Sequence, residues 1–466
     1  RYLFRIRYPI QWLTLGDDPI ALEHAGRIAH DGKSFALSLG NIRLLVQPEI
    51  SLGVKKKIAH KNWIIHDEQS CSTRKISAFI RIRVDETLVI GRENDEYSTL
   101  FQFDNSVASR HLSITNRKGD LILTPFTSKS KTSVVRLDNL DYRERLQQGR
   151  HKALLEIRNI YGEKIAPLSG SQSMHALQAV NAVMENESCR EKNRKGAPGG
   201  LVELSTKTTP VIVGDLHAQV DNLLKILSEN CLLECLRMKT ATLIILGDAV
   251  HSENAGELDN FETSMLIMDL ILRLKLRFPE NVFYIRGNHD SFSRDINKNG
   301  VLQGILFRET LMNIRGEAYV QEMEKFYNLL PYCICSDSFI ACHAGPPRNG
   351  VKKSDIINIK PDKTLANELT TNRLHRPHHL AGYTKRDVKN LRKCLGLSPS
   401  TCFIVGHTPM DPFGSFWLNA GTIKNHHVIY SAHNSGPSVF IQSAGNFMPV
   451  SFPAEPLTEI INELKK

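Results

Sequence analysis

The chain has 466 residues, of which 41% are hydrophobic and 23% are charged, and its formal net charge is +10. A chain of this length forms two to three domains with a substantial core, and its composition excludes the disordered and collagen-like classes. No uninterrupted apolar stretch reaches the ~18 residues of a membrane-spanning helix, so we expect no membrane span.

The basic excess lies in the first part of the chain, where residues 1–200 hold 31 Lys and Arg against 22 Asp and Glu. This charge favours phosphorylated or other anionic partners, or it belongs to a solvated surface. Aromatic residues are not interleaved with the basic ones, which argues against a nucleic-acid partner. Nine scattered cysteines predict free thiols in a reducing compartment. We therefore expect a cytoplasmic protein, with export into the cytosol of another cell left open.

Residues 63–160 contain short segments of alternating apolar and polar residues between turn signals, for example 79–84, 111–114 and 121–123. This pattern predicts an all-β sandwich. Residues 1–62 are harder to interpret, and we expect them to be rich in β-structure. They form either a small separate subdomain or the first strands of the sandwich.

A change of pattern after residue 160 predicts a second domain. Within 161–207, residues 172–187 have helical composition, and residues 189–200 combine Arg, Lys, Gly and Pro as a flexible linker does. From 208 to 450 strands, loops and helices alternate, which predicts an α/β domain. Residues 451–466 are predicted to form a C-terminal tail.

Five short segments of the α/β region place polar side chains directly after apolar runs. They are Gly-Asp-Leu-His at 214–217, Gly-Asp at 247–248, Gly-Asn-His-Asp at 287–290, Cys-His-Ala-Gly at 342–345 and Gly-His-Thr at 406–408. The preceding runs predict buried strands. The polar side chains are therefore expected on loops at strand ends, where open α/β sheets bind ligands.

These side chains suit a pair of cations. Asp215 and His217 alternate and can face one ion, and Asp248 could bridge two. The candidate ligands of the second ion are Asn288, His343 and His407. Oxygen and nitrogen donors without a thiolate predict two divalent ions, with Mn²⁺ first and Fe or Zn as alternatives.

Two cations about 3.5–4 Å apart clamp a phosphoryl group and activate water. His289 follows Asn288 and is not needed as a ligand, so it is a candidate general acid. Arg286 precedes the same motif and could help to hold phosphate.

Residues ~208–445 resemble the phosphoprotein phosphatase branch of the calcineurin-like metallophosphoesterases. The likeness covers the five motifs and three longer stretches, which are Gly214–Gln219 with Leu223 and Leu224, Phe278–His289, and Phe326–Pro331. It implies a β-sandwich core flanked by helices. It also implies a protein phosphatase that hydrolyses phosphomonoesters on phosphoproteins by attack of a metal-bridging hydroxide. The six candidate ligands match the ligands of that family, and His289 matches its general acid.

The second motif departs from the family pattern Gly-Asp-x-Val-Asp-Arg-Gly. His251 stands where the family has the Asp that orients the acid, and Ser252 stands where it has an Arg that grips phosphate. A neutral His can accept a hydrogen bond but supplies no negative charge. Both serine/threonine and tyrosine phosphates therefore stay open as substrates. The candidates for the missing Arg are Arg373, Arg376 and Arg386.

Residues 63–160 resemble a forkhead-associated (FHA) domain, a β-sandwich that reads phosphothreonine. The likeness rests on Gly91-Arg92, the segment 106–114 and the segment 128–134. If His111 is the structural His of that family, Ala108 replaces its phosphate-binding Ser and Ser130 its usual Asn. The candidate phosphopeptide-binding residues are Arg92, Ser109 and Arg110. Such a module would target or regulate the phosphatase, or it is a degenerate sandwich that contacts partners or packs on the phosphatase.

Two other functions remain open. The first is a small-molecule phosphoesterase, such as a dinucleoside polyphosphate hydrolase, since such enzymes share the metal motifs. The second is a metal-binding scaffold with weakened or lost catalysis, which His251 and Ser252 would explain.

Overall fold

The computed structural model describes most of the chain. The described residues are 10–31, 33–40, 42–52, 57–67, 79–92, 103, 105–126, 131–137, 140–162, 164–229, 231–375, 381–409, 415–443 and 446–464. They fall into two compact units. One comprises 1–153, 228–232 and 450–456, and the other comprises 154–227, 233–449 and 457–466.

The first unit is built from strands. They are β1 (Gln11–Trp12), β2 (Ile20–Ala21), β3 (Gly26–Ile28), β4 (Phe35–Leu39), β5 (Ile42–Leu52), β6 (Lys57–Asp67), β7 (Phe79–Ile82), β8 (Thr87–Ile90), β9 (Leu112–Arg117), β10 (Asp120–Pro125) and β11 (Thr132–Arg136). One sheet has the order β1-β3-β10-β9-β8 and the other the order β2-β11-β4-β5-β6-β7. This arrangement confirms the all-β fold class of the N-terminal region.

The two sheets of this unit are joined through Trp63 of β6. Its side chain is fully buried, and its indole Nε1 donates to the carbonyl of Gly119, 2.6 Å away in the β9–β10 turn. Alternate residues of β9 are buried, as expected for a strand with one face on a core.

The first strands decide between the two interpretations of residues 1–62. Strands β2 to β5 and the first half of β6 pair within the same sheets as β7 to β11. They are therefore the first strands of the same fold and not a separate subdomain. The predicted boundary at residue 63 is wrong, because it falls inside β6.

The rest of the chain alternates strands and helices. The helices are α1 (Leu140–Tyr161), α2 (Gly170–Glu185), α3 (Val220–Ser228), α4 (Leu232–Arg237), α5 (Glu262–Arg277), α6 (Gln303–Arg315), α7 (Glu317–Leu329), α8 (Lys353–Ile357), α9 (Lys363–Thr371), α10 (Lys385–Cys394) and α11 (Leu457–Glu463). The strands are β12 (Arg190–Lys192), β13 (Pro198–Glu203), β14 (Thr209–Val213), β15 (Ala241–Ile245), β16 (Val282–Tyr284), β17 (Cys333–Cys335), β18 (Phe339–Cys342), β19 (Cys402–Val405), β20 (Phe416–Trp417), β21 (His426–Ile429), β22 (Ser438–Ser443) and β23 (Asn446–Ser451). A short 3-10 helix spans Ala420–Thr422.

These strands form two sheets with a shared core. The orders are β12-β13-β17-β18-β19-β21-β20 and β16-β15-β14-β22-β23. One hydrophobic cluster joins Ile212 and Ile244 of the second sheet to Ile334 and Ile404 of the first. A second cluster packs α8, α9 and α10 on the other side of the first sheet. The predicted β-sandwich core with flanking helices is confirmed.

The parallel pairs of strands explain where the polar motifs meet. β14, β15 and β16 run parallel to one another, and so do β18, β19 and β21. Their carboxyl ends therefore lie at a common edge of each sheet, and the loops that leave them can converge.

The predicted linker at 189–200 is wrong. This segment contains β12 and the start of β13, and β13 pairs in parallel with β17. A Cβ on Gly200 would lie 2.4 Å from Cγ2 of Ile359, so the glycine permits close packing. Glycine here allows tight contact with the chain after α8 and does not mark a flexible segment.

The C-terminal segment is more ordered than a tail. Helix α11 occupies Leu457–Glu463, and the backbone N–H of Thr458 donates to Asp221 Oδ1 at 2.8 Å. Across the described ranges, no helix is both long enough and apolar enough to cross a membrane.

Candidate metal centre

Each candidate ligand follows the end of a strand. Asp215 and His217 follow β14, Asp248 follows β15, and the last three follow β16, β18 and β19: Asn288, His343 and His407. Backbone φ is positive at three of these residues, 40° at His217, 49° at Asp248 and 63° at His407. Such left-handed conformations cost about 1–3 kcal/mol each and cluster at functional sites.

The first group of ligand atoms comes from Asp215, His217 and Asp248, and these atoms lie within 4.8 Å of one another. All three residues are buried. His217 Nδ1 lies 3.2 Å from the carbonyl oxygen of His251, to which it can donate. With the proton on Nδ1, the lone pair of Nε2 faces Asp215 Oδ2 at 3.7 Å, as a metal ligand requires.

The second group comes from Asp248, His343 and His407, also within 4.8 Å. His343 Nδ1 donates to the carbonyl of Leu246 at 2.7 Å. Its Nε2 meets Asp248 Oδ2 at 3.2 Å, Asn288 Oδ1 at 3.0 Å and His407 Nδ1 at 3.3 Å. Several acceptors thus converge on one point, and a cation is the partner that satisfies them all.

The electrostatics of the cluster also demand positive charge. Burial raises the pKa of Asp215 to about 6. Burial lowers the pKa of His343, but Asp248 and Asp215 outweigh it and raise that pKa to about 9. Buried carboxylates need compensating charge. The donor set and its charge fit two divalent ions that share Asp248.

Asp290 fixes the third motif against the second. Its side chain is fully buried and accepts from the backbone N–H of Gly287 at 2.7 Å, from the N–H of Asp248 at 3.2 Å and from the hydroxyl of Tyr284 at 2.6 Å. A Cβ on Gly287 would lie 2.1 Å from Asp248 Oδ1, so only glycine fits there. The sequence places Asp290 in the motif but gives no sign of this bracing role.

His289 and His251 form a buried pair. Their Nδ1 atoms lie 3.0 Å apart, so one must donate and the other accept. His251 Nε2 is buried and has no hydrogen-bond partner among the described residues. A buried N–H without a partner is rare. We therefore assign the proton of His251 to Nδ1, which leaves the proton of neutral His289 on Nε2.

The environment of this pair keeps both imidazoles neutral. The ring of His251 contacts Phe261 and Phe307 edge-on, and burial holds its pKa well below the usual range. Burial also lowers the pKa of His289 to about 4. The backbone N–H of His289 donates to Asp248 Oδ1 at 2.7 Å, which anchors the pair to the ligand cluster.

The predicted phosphate contact of Arg286 stays a prediction, and the structure shows this side chain in contact with the protein itself. Its Nη1 donates to the carbonyl of Tyr327 at 2.6 Å, and the guanidinium lies 5.9 Å from the ring centroid of Tyr332. Arg286 therefore secures the end of α7. Ser252, in the position of the missing Arg, donates its hydroxyl to Glu257 at 3.0 Å.

One of the three other arginines lies beside the cluster. A pocket of about 470 Å³ is lined by residues that include Arg348, Arg373, Trp417 and His407. Arg373 Nη2 donates to the carbonyl of His407 at 3.3 Å. Arg386 is exposed at the start of α10, and Arg376 lies outside the described residues.

Three residues near His217 were not foreseen. Glu253 Oε1 lies 4.0 Å from His217 Nε2 and accepts from Lys298 Nζ at 2.6 Å, while Glu253 Oε2 accepts from the hydroxyl of Tyr430 at 2.8 Å. Burial opposes ionisation of Glu253, but His217 and these two donors lower its pKa to about 2. Glu253 stands at the last position of the altered second motif, where the pattern has Gly, which is a signal, but no sequence pattern singles out Lys298.

In the first unit, the candidate phosphopeptide-binding residues lie on adjoining loops. The backbone N–H of Arg92 donates to the carbonyl of Ala108 at 3.1 Å, and a Cβ on Gly91 would lie 2.2 Å from the carbonyl oxygen of Ser109. Arg92 Nε donates to the carbonyl of Val107 at 2.6 Å. Arg110 lies over the ring of Phe126 at 4.5 Å.

His111 is buried beneath these loops. Its Nδ1 accepts from the backbone N–H of Ala108 at 3.0 Å, and its Nε2 lies 3.0 Å from Thr132 Oγ1. It therefore holds the loop that carries Ser109 and Arg110 against β11. Ser130 lies outside the described residues.

Comparisons with known proteins find a matching family over the α/β region. Residues 209–434 match the family of calcineurin-like phosphoesterases. A Candida albicans protein named serine/threonine-protein phosphatase PP2A-like PPG1 is 31% identical over 144 residues, which are 30% of this chain and 30% of that protein. The chain thus spans less than a third of the length of this curated relative.

Two solved structures are also similar. A Saccharomyces cerevisiae protein serine/threonine phosphatase with similarity to human phosphatase PP5 has a TM-score of 0.46 at 16% identity, covering 62% of this chain and 90% of its own. A cold-active protein-tyrosine phosphatase of a psychrophilic Shewanella species has a TM-score of 0.35 at 12% identity, covering 53% and 78%.

Proposed function

We propose that this chain is a metal-dependent phosphatase that hydrolyses phosphomonoesters on phosphoproteins, because residues 209–434 match the family of calcineurin-like phosphoesterases. The observation that carries the proposal is the pair of ligand groups that share Asp248. The similarity to the Candida phosphatase supports phosphoserine and phosphothreonine as the first substrates to test.

The ligand residues would hold two divalent ions, Asp215 and His217 on one side and His343, His407 and Asn288 on the other, with Asp248 between them. Bound ions would neutralise phosphoryl oxygens and increase the acidity of water. The backbone contributes as well, since hydrogen bonds from His217 to the carbonyl of His251 and from His343 to that of Leu246 keep both Nε2 atoms free to ligate.

We assign the leaving-group proton to His289. Its neutral imidazole carries the proton on Nε2, because Nδ1 accepts from His251. A leaving alkoxide of serine is a strong base, so protonation in the transition state lowers the barrier. His251 takes over the orienting part of the role that an Asp has in the resembled family. It supplies no negative charge, so the acid works from the neutral imidazole.

Among the candidate arginines, Arg373 is the one best placed to contact the peptide chain that carries the phosphate. It contacts the backbone of His407 and lines the adjoining pocket with Arg348 and Trp417. The two guanidinium groups lie beside the indole ring of Trp417. This combination suits an anionic side chain of a peptide better than an isolated phosphate ion.

The test is hydrolysis by the Mn²⁺-loaded protein. We expect turnover of p-nitrophenyl phosphate, and then of matched phosphoserine, phosphothreonine and phosphotyrosine peptides. Turnover of nucleotides with inert peptides would favour the small-molecule phosphoesterase instead. Tight metal binding without hydrolysis of any of these compounds would identify a scaffold and sink the proposal.

We also propose that the first unit recognises phosphothreonine peptides through Arg92, Ser109 and Arg110. The observation in favour is their position on adjoining loops, one of which is held by the buried His111. Such a module would bring the phosphatase to a phosphorylated partner.

A further inference from the structure

We propose that Lys298 supplies the cationic contact to the substrate phosphate for which Ser252 leaves no arginine. The inference rests on the proposed function, since it adds a substrate-binding residue to the same site. The proposed cation lies on the loop before α6, whereas the family's arginine lies in the second motif.

The position of Lys298 carries the inference. Its Nζ lies 2.6 Å from Glu253 Oε1, and that same oxygen lies 4.0 Å from Nε2 of the candidate ligand His217. Glu253 follows Ser252 directly. A single carboxylate oxygen therefore separates the ammonium from a candidate ligand atom, on the side of the cluster that His217 occupies.

Two loops hold this arrangement in place. Lys298 and Val301 exchange backbone hydrogen bonds of 3.1 and 2.9 Å around a tight turn, which is closed by the N–H of Gly300 donating to Asn297 Oδ1 at 2.9 Å. Gln303 Nε2 then donates to the carbonyl of Ser252 at 2.9 Å. The loop that presents Lys298 is thus tied to the second motif, and a fixed cation binds an anion with less ordering cost.

The charges also fit a phosphate. An ammonium has three N–H donors and acts as a compact point charge. The side chain of Lys298 is 37% exposed and that of Glu253 is 24% exposed, so the ammonium is open to an incoming anion. Glu253 keeps the hydroxyl of Tyr430 as a second donor and can share Lys298 without losing all its partners.

The competing explanation is that the ion pair only holds the two loops together. The two explanations differ in one measurable quantity, the affinity for inorganic phosphate. A loop-holding pair affects the thermal midpoint when it is removed, whereas a phosphate-binding lysine affects the dissociation constant for phosphate in a protein that remains folded.

The experiment titrates inorganic phosphate into the Mn²⁺-loaded full chain by calorimetry and measures KM and kcat for p-nitrophenyl phosphate. We expect Lys298→Ala to weaken phosphate binding about tenfold, as for loss of one charge-assisted hydrogen bond, and to raise KM similarly with a smaller change in kcat. Lys353→Ala is the matched control, because Lys353 is also 37% exposed and pairs with a glutamate, Glu203, at 2.7 Å. We expect it to leave phosphate binding unchanged.

A double variant sharpens the test. Ser252→Arg in the Lys298→Ala background puts an arginine at the family position, and we expect it to recover most of the lost affinity. Lys298→Gln keeps a long polar side chain in case Lys298→Ala does not fold. Unchanged phosphate affinity in either folded single variant overturns the inference, and so does a wild type that binds no phosphate.

The outcomes separate the two proposals. Normal hydrolysis with unchanged phosphate affinity in the Lys298 variants would overturn the role of Lys298 and leave the phosphatase function standing. Lysine-dependent phosphate binding without hydrolysis of any phosphomonoester would overturn the phosphatase function and leave the role of Lys298 standing.

Discussion

The metal-ligand cluster and the ring of residues around it are built in different ways. The ligands are short side chains at the ends of five strands, and the paired sheets fix their positions. Three of the surrounding residues, His251, Ser252 and Glu253, lie on the loop after β15, and others, such as Lys298, come from distant loops. A ligand can hardly be replaced from elsewhere, whereas a long cationic side chain can reach the phosphate from a neighbouring loop. The first region therefore matches the family pattern and the second does not.

The most damaging change should be in the shared ligand. We expect Asp248→Asn to lower kcat for p-nitrophenyl phosphate about a thousandfold or more, because both ligand groups lose their common carboxylate. Such a loss corresponds to a barrier raised by several kcal/mol. Metal content should fall as well. Asp259→Asn, at an exposed position, is the control. Full activity in Asp248→Asn would show that the cluster is not the catalytic centre.

His289, the proposed general acid, lies at the boundary between the candidate ligands and the residues around them. We expect His289→Ala to lower kcat by about a hundredfold with metal content intact. The loss should be larger for a phosphoserine peptide than for p-nitrophenyl phosphate, whose leaving group needs less protonation. His151→Ala, in the exposed part of α1, should have no effect. Equal losses on both substrates would argue against proton donation.

The N-terminal unit shows a similar contrast. The buried His111 supports the loops, whereas residues on those loops differ from the family pattern. We expect Arg92→Ala to weaken binding to a phosphothreonine peptide array by about tenfold, as for loss of one charge-assisted contact. Arg117→Ala, at the exposed end of β9, is the matched control. Absence of binding in the wild type, or binding that Arg92→Ala leaves unchanged, would contradict the proposal and favour a degenerate sandwich.

The mildest change tests the neutral pair. A carboxylate beside an imidazole raises its pKa, so we expect His251→Asp to move the pKa of His289 upward from about 4. In the Asp variant the imidazolium of His289 becomes the acid, so activity should fall as pH rises through the raised pKa. The wild type, whose acid is the neutral imidazole, and His251→Asn should show no such fall. The readout is the pH dependence of kcat/KM, with the thermal midpoint as a check on folding. Identical profiles for Asp and Asn would show that the charge at position 251 has no influence on the acid.

The sequence predicts the ligand cluster well because each ligand follows an apolar run long enough to identify a strand. It predicts the surroundings poorly because they depend on long-range contacts. Lys298 reaches Glu253 across 45 positions of the chain, and no local pattern reveals that. Arg286 shows another such contact, because this basic residue beside the third motif donates to the carbonyl of Tyr327, which lies 41 positions further along the chain.

The predicted and observed structures differ most at a segment rich in glycine and proline. Residues 189–200 have the composition of a linker, yet Gly199 and Gly200 are buried where the chain after α8 approaches closely. Composition indicates where a chain can bend, but only the packing shows whether the small residue serves flexibility or proximity.

The pairing of β13 with β17 has a practical consequence for dissecting the molecule. A fragment that begins at 208 would retain all six ligands but would remove β12 and β13 from the seven-stranded sheet. The edge of β17 would then present unpaired backbone groups, which are a template for intermolecular strand addition. Such a truncation is expected to aggregate even though its catalytic motifs are complete.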